Sequence, residues 1–142
     1  MMCPALTPRP THTMRLFRLY TTPNGGSALD RHEIPMNGIE RPISATFPCE
    51  SVFFRDTPEG HVQSWHNAPR RQLIVLTSGL MEIETSDGRR TVCQPGDMVF
   101  AENFTGKGHI TRSLRGVRGF MHLVMPDDFE VKDWPLVPSA PV

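Results

Sequence analysis

The chain has 142 residues, and its 15 lysines and arginines balance 15 aspartates and glutamates, so the formal net charge is zero. This length suits one domain that buries its own core. A neutral chain has no overall field to draw it to nucleic acid or an anionic membrane, and its aromatic residues, 8% of the chain, do not interleave with basic clusters. We therefore expect a small-molecule partner, with no nucleic acid and no membrane.

The cysteines and the N-terminus indicate the compartment. Cys3, Cys49 and Cys93 are an odd number without the spacing of a disulfide framework. We expect reduced thiols in a cytoplasmic protein. Residues 1–14 lack the roughly 7–15 consecutive apolar residues of a secretory signal, and no segment reaches the roughly 18 apolar residues of a membrane span. Residues 1–14 are predicted to be a flexible leader, and whether that leader is processed stays open.

Fourteen prolines and eleven glycines disfavour long helices, because proline removes a backbone donor and glycine costs helix stability. Short runs rich in β-formers separated by turn residues predict strands instead. In chain order, these predicted strands cover residues 15–20, 51–55, 73–77, 81–85, 89–92, 98–101, 109–114 and 120–125, with a further apolar stretch at 43–47.

The centre of the chain carries the clearest pattern. Residues 73–77 form a dense apolar run too short for a helix, which is typical of a strand buried on both faces. Residues 81–85 alternate apolar with acidic side chains, and Asp87-Gly88 then gives a strong hairpin signal. Closely spaced strands with turns between them predict an all-β antiparallel sandwich or barrel.

The last segment, residues 126–142, is acidic and rich in proline. Either it lies on the surface through Phe129 and Trp134, or it is disordered. The predicted organisation is therefore a leader at 1–14, one β-barrel at 15–125 and a C-terminal tail at 126–142. No internal repeat divides the barrel.

Two segments carry the candidate chemistry. The first is the run His-Asn-Ala-Pro-Arg-Arg-Gln at 66–72, and the second comprises Pro-Gly-Asp at 95–97 and Gly-Lys-Gly-His at 106–109. Side chains two residues apart on a strand share a face, so positions 66 and 68 point one way, and 72 and 74 do likewise. With His109 arriving from a neighbouring strand, these side chains would converge at one end of a barrel.

These segments resemble the two motifs of the cupin superfamily, over roughly residues 61–125. The first cupin motif has His-x-His, a later Glu and a closing Gly, and the second opens with Pro-Gly-Asp and ends in a His. Laid on this chain, the closing Gly falls on Gly79 and the ligand positions fall on His66, Ala68, Gln72 and His109. The order of A-P-R-R-Q and G-K-G-H is also similar to a subgroup of small single-domain cupins. The resemblance implies a single antiparallel jelly-roll β-barrel and, since cupins commonly pair, a homodimer.

The departures from the cupin pattern bear on metal binding. Three imidazoles and a carboxylate suit iron, manganese, nickel or zinc. Here Ala68 replaces one imidazole and Gln72 replaces the carboxylate, which leaves a divalent cation uncompensated. We therefore expect no cofactor. The alternative is a metal-dependent cupin, such as a dioxygenase, in which His66 and His109 with Gln72 or Glu102 hold one of these metals.

Three functions remain open from the sequence: a non-oxidative proton-transfer enzyme (a lyase, isomerase, decarboxylase or cyclase), the metal-dependent enzyme, and a binding module without turnover. In the first, His66 and His109 are acid/base groups because imidazole titrates near neutrality. The candidate catalytic residues are His66, His109, Gln72 and Glu102, and the candidate substrate-binding residues are Arg70, Ala68, Ile74 and His122. Arg70 would meet an anionic substrate group, and Phe54 is among the apolar side chains expected in the cavity or core.

Overall fold

The computed structural model describes residues 14–138, and every regular element in that range is a β-strand. The strands are β1 (Leu16–Thr21), β2 (Ser27–His32), β3 (Ser51–Thr57), β4 (Val62–His66), β5 (Gln72–Glu84), β6 (Arg90–Cys93), β7 (Met98–Ala101), β8 (His109–Val124) and β9 (Leu136–Val137). The predicted all-β class is confirmed. Residues 1–13 of the predicted leader lie outside the described residues.

Nothing in residues 14–138 forms a helix long and apolar enough to cross a membrane.

The two long strands β5 and β8 organise the molecule. They pair antiparallel along their lengths, from Gln72 opposite Val124 to Glu84 opposite Ile110. The first half of β5 also pairs with β7 and its second half with β6, while β8 pairs with β4 at its start and with β3 at its end. The first sheet has the order β3-β8-β5-β7-β1-β2-β9, and the second sheet has the order β4-β8-β5-β6. The two sheets therefore share β5 and β8, which is a jelly-roll arrangement of the cupin type.

The predicted purely antiparallel barrel needs a correction. β1 runs parallel to β7, with Leu16 opposite Met98 and Leu19 opposite Ala101. The main strand order, β3-β8-β5-β7-β1-β2-β9, also ends at two open edges. A two-residue period identifies the faces of a strand but not its direction or its neighbours, so the sequence could not show either feature.

β5 and β8 were each predicted as two strands, because glycines interrupt both. The register of the pair shifts between Leu76 and Met81, where Gly79 has a positive φ of 78°. A Cβ at Gly79 would come within 2.7 Å of the backbone oxygen of Val117 on β8. Bulges of this kind bend a strand without ending it, so each strand continues from one sheet into the other.

The core has two parts, separated by the first sheet. Between the sheets lies the inner cluster of Phe17, Leu19, Leu29, Leu76, Met81, Ile83, Cys93, Val99 and Phe120. On the other side of the first sheet lies the outer cluster of Leu16, Ile34, Phe100, Met125, Phe129 and Val131. β1 and β7 contribute to both clusters because successive side chains of a strand alternate between its faces.

The C-terminal tail belongs to this packing. Phe129 is 7% exposed, Val131 is fully buried, and the rings of Phe129 and Trp134 meet edge to face at 5.9 Å. β9 then pairs antiparallel with β2. The described part of the tail, as far as residue 138, therefore lies on the sheet, which is the first of the two alternatives. The core extends past the predicted boundary at residue 126.

β3 and β4 bury little of their surface within the chain. Phe54 is 77% exposed and Trp65 is 48% exposed, so the prediction that Phe54 is a cavity or core residue is wrong. The apolar stretch at 43–47 forms no strand and makes only an isolated bridge from Ile43 to Asn37. β2 and β4 were missed because polar residues dominate both.

Candidate functional site

A cavity of about 780 Å³ lies between the sheets, with residues of β3, β4, β5, β7 and β8 in its walls. This volume suits a small metabolite. The ionisable side chains in its walls are His61, His66, His109, His122, Arg55, Arg118 and Asp56. The cavity is therefore lined by imidazoles and guanidiniums, with a single carboxylate at its wall.

His66 and His109 stand side by side at one end of the cavity. His66 ends β4 and lies opposite His109, which begins β8, and their ring centroids are 4.2 Å apart. Gly108 makes this approach fit: it has a positive φ of 76°, and a Cβ there would lie 2.4 Å from the backbone oxygen of His66. The glycine before His109 in the Gly-Lys-Gly-His segment is therefore required by the close contact between β8 and β4.

The backbone sets the protonation of His66. Its Nδ1 lies 2.7 Å from the carbonyl oxygen of Ser64, and because a carbonyl only accepts, Nδ1 carries the proton and Nε2 keeps a lone pair. Burial lowers the pKa of His66 below the ordinary 6.5, against the opposing effect of the Ser64 hydrogen bond. At neutral pH His66 is therefore an unprotonated base at Nε2.

His109 has the opposite tautomer. The side-chain nitrogen of Asn103 donates to His109 Nδ1 over 2.7 Å, so the ring proton lies on Nε2. Burial, with a smaller contribution from His66, lowers the pKa of His109 to about 3. His109 stays neutral at physiological pH and acts as a hydrogen-bond donor. Asn103 is fully buried and was missed by the sequence analysis; a lone amide in the loop before the histidine was its only signal.

Gln72 and His122 form a second pair in the cavity wall. Nδ1 of His122 donates to Oε1 of Gln72 over 3.1 Å, which leaves the amide nitrogen of Gln72 as a donor. The His122 ring stacks on Phe53 with centroids 4.4 Å apart. Burial, and then the charges of Arg55 and Arg70, lower the pKa of His122 to about 4. His122 therefore faces the cavity and not the solvent.

Ala68 and Ile74 also line the cavity, as predicted for their face of the chain. Ala68 is 7% exposed, and its backbone nitrogen donates to the carbonyl oxygen of Asn103 over 3.1 Å. In the resemblance to the cupin motif position 68 is that of an imidazole, and here that position places a methyl group in the cavity wall.

Two predicted site residues lie elsewhere. Arg70 is exposed, and its Cζ lies 5.5 Å from the ring centroid of Phe53. Residues 67–71 form an irregular turn in which the two-residue period fails. Glu102 follows Ala101, whose side chain lines the cavity, so its own side chain points to the opposite face. There it pairs with Arg18 at 2.8 Å and Arg71 at 3.6 Å. Glu102 is therefore not placed to act as a base in the cavity, and Arg70 lies outside the cavity walls, although its charge acts on His122.

The residues present do not fit a divalent metal. Among residues 14–138 there is no group of three His, Cys, Asp or Glu side chains arranged to hold one. The amide oxygen of Gln72, the atom that would bind a cation, accepts the hydrogen bond from His122. Ala68 supplies no ligand, and Glu102 is committed to arginines. This donor set therefore gives no support for a metal-dependent reaction in the cavity.

Arg118 lines the cavity and is 2% exposed, although it was not among the predicted site residues. Its Nε donates to Ser113 Oγ over 2.7 Å and its Nη2 to the His61 carbonyl over 3.4 Å. Burial lowers its pKa below the ordinary value. Alternation along β8 was a usable signal, since positions 118, 120 and 122 share a face and all three line the cavity.

No protein-family model matches the chain, and no curated protein matches it. Among solved structures it is similar to the CENP-C cumin domain of Drosophila melanogaster, with 15% identity and a TM-score of 0.43 over 74% of this chain and 70% of that one. A conserved protein of unknown function from Streptococcus pyogenes has 16% identity and a TM-score of 0.40 over 65% of this chain and 95% of its own.

A protein described as ethanolamine utilization protein Q from Salmonella typhimurium has 12% identity and a TM-score of 0.37, over 80% of this chain and 97% of its own. At such identities the likeness concerns the fold alone, and no ligand or reaction carries over to this chain.

Proposed function

We propose that the protein is an enzyme that moves a proton on a small organic molecule held in the cavity, without oxidation and without a cofactor. The reaction class is that of a lyase, isomerase, decarboxylase or cyclase. The pairing of His66 with His109 carries this proposal, because the adjacent rings have complementary protonation: a lone pair on Nε2 of His66 and a proton on Nε2 of His109.

The two histidines divide the work in a proton abstraction next to a carbonyl. Nε2 of His66 accepts the carbon-bound proton, and the bonding electron pair moves to the carbonyl oxygen to give an enolate. His109 donates its Nε2 hydrogen bond to that oxygen as negative charge develops there. Because the pKa of His109 is lowered to about 3, its imidazole is neutral at physiological pH and donates this hydrogen bond as a neutral group. The amide nitrogen of Gln72 provides a further donor.

The test is hydrogen exchange in D₂O at the methyl group of pyruvate and at the carbons beside the carbonyl of other 2-oxo and 3-oxo acids, followed by NMR. The wild-type protein is expected to accelerate exchange with at least one of these acids. His66→Gln is expected to abolish the acceleration, and His109→Gln to reduce it by about 10²–10³. His32→Gln is the matched control, since His32 lies on β2 and bonds to the carbonyl oxygen of Trp134, outside the cavity.

Two results would overturn the proposal. One is exchange no faster than in buffer with every acid tested, while binding to the cavity persists; the protein would then be a binding module. The other is unchanged exchange in His66→Gln, which would remove the proposed base. The metal-dependent alternative predicts exchange or oxidation only after loading with iron, manganese, nickel or zinc, and the donor set of the cavity gives no support for it.

We also propose a cytoplasmic homodimer. The free thiols of Cys49 and Cys93 support a reducing compartment. β3 ends the main strand order and exposes 77% of Phe54 and 49% of Val52, and an exposed apolar edge strand is a pairing surface. Light scattering should give twice the chain mass, and Phe54→Ser should lower it towards a monomer; a wild-type monomer at micromolar concentration would refute the pairing.

A further inference from the structure

Arg118 holds a buried positive charge without an ionic partner. It is 2% exposed, its polar contacts are a serine hydroxyl and atoms of His61, and its Cζ lies 5.6 Å from the Phe120 ring centroid. None of these partners is a carboxylate. Within residues 14–138 no carboxylate forms an ion pair with it.

Several other arginines of this chain form ion pairs with carboxylates. Four that lie outside the cavity and are partly buried have carboxylate partners: Arg15 with Asp97, Arg18 and Arg71 with Glu102, and Arg112 with Glu82 and Glu84. Arg118 is buried more deeply than any of these residues. An unpaired buried charge is costly, so its retention in a cavity wall points to a partner that arrives from outside.

The other charged side chains in the cavity walls do not neutralise Arg118. Arg55 is the other cation in the cavity walls, and Asp56 is the single carboxylate there; both residues are exposed to solvent. Burial, and then the charges of Arg55 and Arg70, lower the pKa of His122 in the same cavity. The two solvated charges of Arg55 and Asp56 offset each other, so the buried charge of Arg118 leaves the cavity with an excess of positive charge, which attracts an anionic ligand.

We propose that Arg118 forms an anion subsite that holds the carboxylate of the substrate, so that the ligand is a small organic acid. This inference rests on the proposed function, since it names the substrate class of the same cavity. The planar guanidinium fork matches a carboxylate. One buried cation, with Nε engaged by Ser113, neutralises one negative charge and suits a carboxylate better than a phosphate dianion.

The experiment compares acids with their neutral isosteres. Sodium pyruvate and sodium succinate are titrated into the full chain, beside pyruvamide and succinamide, and the amide NMR signals of Gly119 and Phe120 report occupation next to Arg118. We expect at least tenfold tighter binding of an acid than of its amide. Arg118→Met is expected to remove that preference. Arg115→Met is the matched control, because Arg115 lies on the same strand but is exposed and outside the cavity walls.

The wild-type titration tests the subsite even if Arg118→Met fails to fold. Equal binding of acids and amides overturns the subsite, and so does an acid preference that Arg118→Met retains. Inorganic phosphate is titrated in parallel; binding of phosphate through Arg118 with no binding of either acid overturns the carboxylate assignment. Acid binding without hydrogen exchange refutes only the proton-transfer proposal, whereas equal exchange of pyruvate and pyruvamide refutes only the subsite.

Discussion

Arg71 and Gln72 are neighbours in the chain, yet they point into two regions with opposite electrostatics. On the outer side of the first sheet, Arg71 joins Arg18, Glu102 and Glu130 in what we term the ion-pair layer. On the inner side, Gln72 enters the cavity. Every charge of the ion-pair layer has an opposite partner within the chain, whereas the buried charge of the cavity, Arg118, has none among the described residues.

This difference separates groups that hold the fold together from groups held ready for a ligand. The ion-pair layer ties β1, β7 and the start of β5 to the C-terminal segment through Glu130. The cavity shows the opposite arrangement. Its buried polar groups that lack partners destabilise the folded state, and such groups are retained where function needs them. Removal of a charged side chain should therefore destabilise the protein in the ion-pair layer but not in the cavity.

The largest expected loss of stability comes from a substitution that blocks the close contact between β8 and β4 at one end of the cavity. Gly108→Ala adds a Cβ 2.4 Å from the backbone oxygen of His66 at a φ of 76°, which combines backbone strain with a steric clash. Strain alone costs about 1–3 kcal/mol, so we expect a total loss of more than about 3 kcal/mol, measured by urea unfolding.

Gly60→Ala is the matched control for this substitution. Gly60 has a φ of 79°, but a Cβ there would meet nothing within 4 Å. It should show the strain alone. Equal losses in the two variants would mean that the contact between Gly108 and His66 does not hold the two histidines together.

Arg71→Met should break the ion-pair layer. It removes the ion pairs of Arg71 with Glu102 and with Glu130. The side chains of Arg71 and Glu102 are only 13% and 11% exposed. Removing one member of a buried ion pair costs about 3–5 kcal/mol; Arg18 remains on Glu102, so we expect about 2–3 kcal/mol in urea unfolding. Arg70→Met, at the exposed neighbour, should change stability by less than about 0.5 kcal/mol.

The pH dependence of stability should come from the cavity. Burial lowers the folded-state pKa values of His109 to about 3 and His122 to about 4, so as the pH falls below 6.5 the unfolded chain binds protons that the folded chain excludes. Stability is therefore full above pH 6.5 and falls as the pH drops towards 4. Each histidine contributes at most about 1.4 kcal/mol per pH unit.

The variant His122→Phe keeps a ring on Phe53 and removes one of these titrating groups. Urea unfolding between pH 5 and 6.5 should give a shallower slope for the variant than for the wild type. Identical slopes would show that His122 is protonated as readily in the folded chain as in the unfolded one.

The sequence predicted the fold class and the strands with a clear apolar pattern, since burial of one face leaves a period that can be seen in the letters. It did not predict β2 and β4, whose exposed or polar side chains hide that period. It also divided β5 and β8 at glycines such as Gly79, because a bulge that bends a strand has the same local signature as a turn that ends it.

For the site, motif spacing brought His66, Gln72 and His109 into one cavity, as the structure has them. The tautomers of the two histidines could not be predicted, because they depend on the carbonyl of Ser64 and on a distant amide. The sign of the charge in the cavity depended on the absence of a neighbouring carboxylate at Arg118, and such an absence is a property of three-dimensional packing that no local pattern contains.

The smallest expected change, and the sharpest contrast with Arg71→Met, is the stability of Arg118→Met. Methionine keeps the apolar stem beside Phe120 and removes a buried cation that no described residue neutralises. Replacing an uncompensated buried charge by an apolar side chain is neutral or stabilising, so unfolding in urea should show between no change and a gain of about 1 kcal/mol. The hydrogen bond to Ser113 limits the gain, because its loss offsets part of the relieved desolvation. If Arg118→Met instead lost as much stability as Arg71→Met, Arg118 would be a structural member of the wall, and the contrast between the ion-pair layer and the cavity would fail.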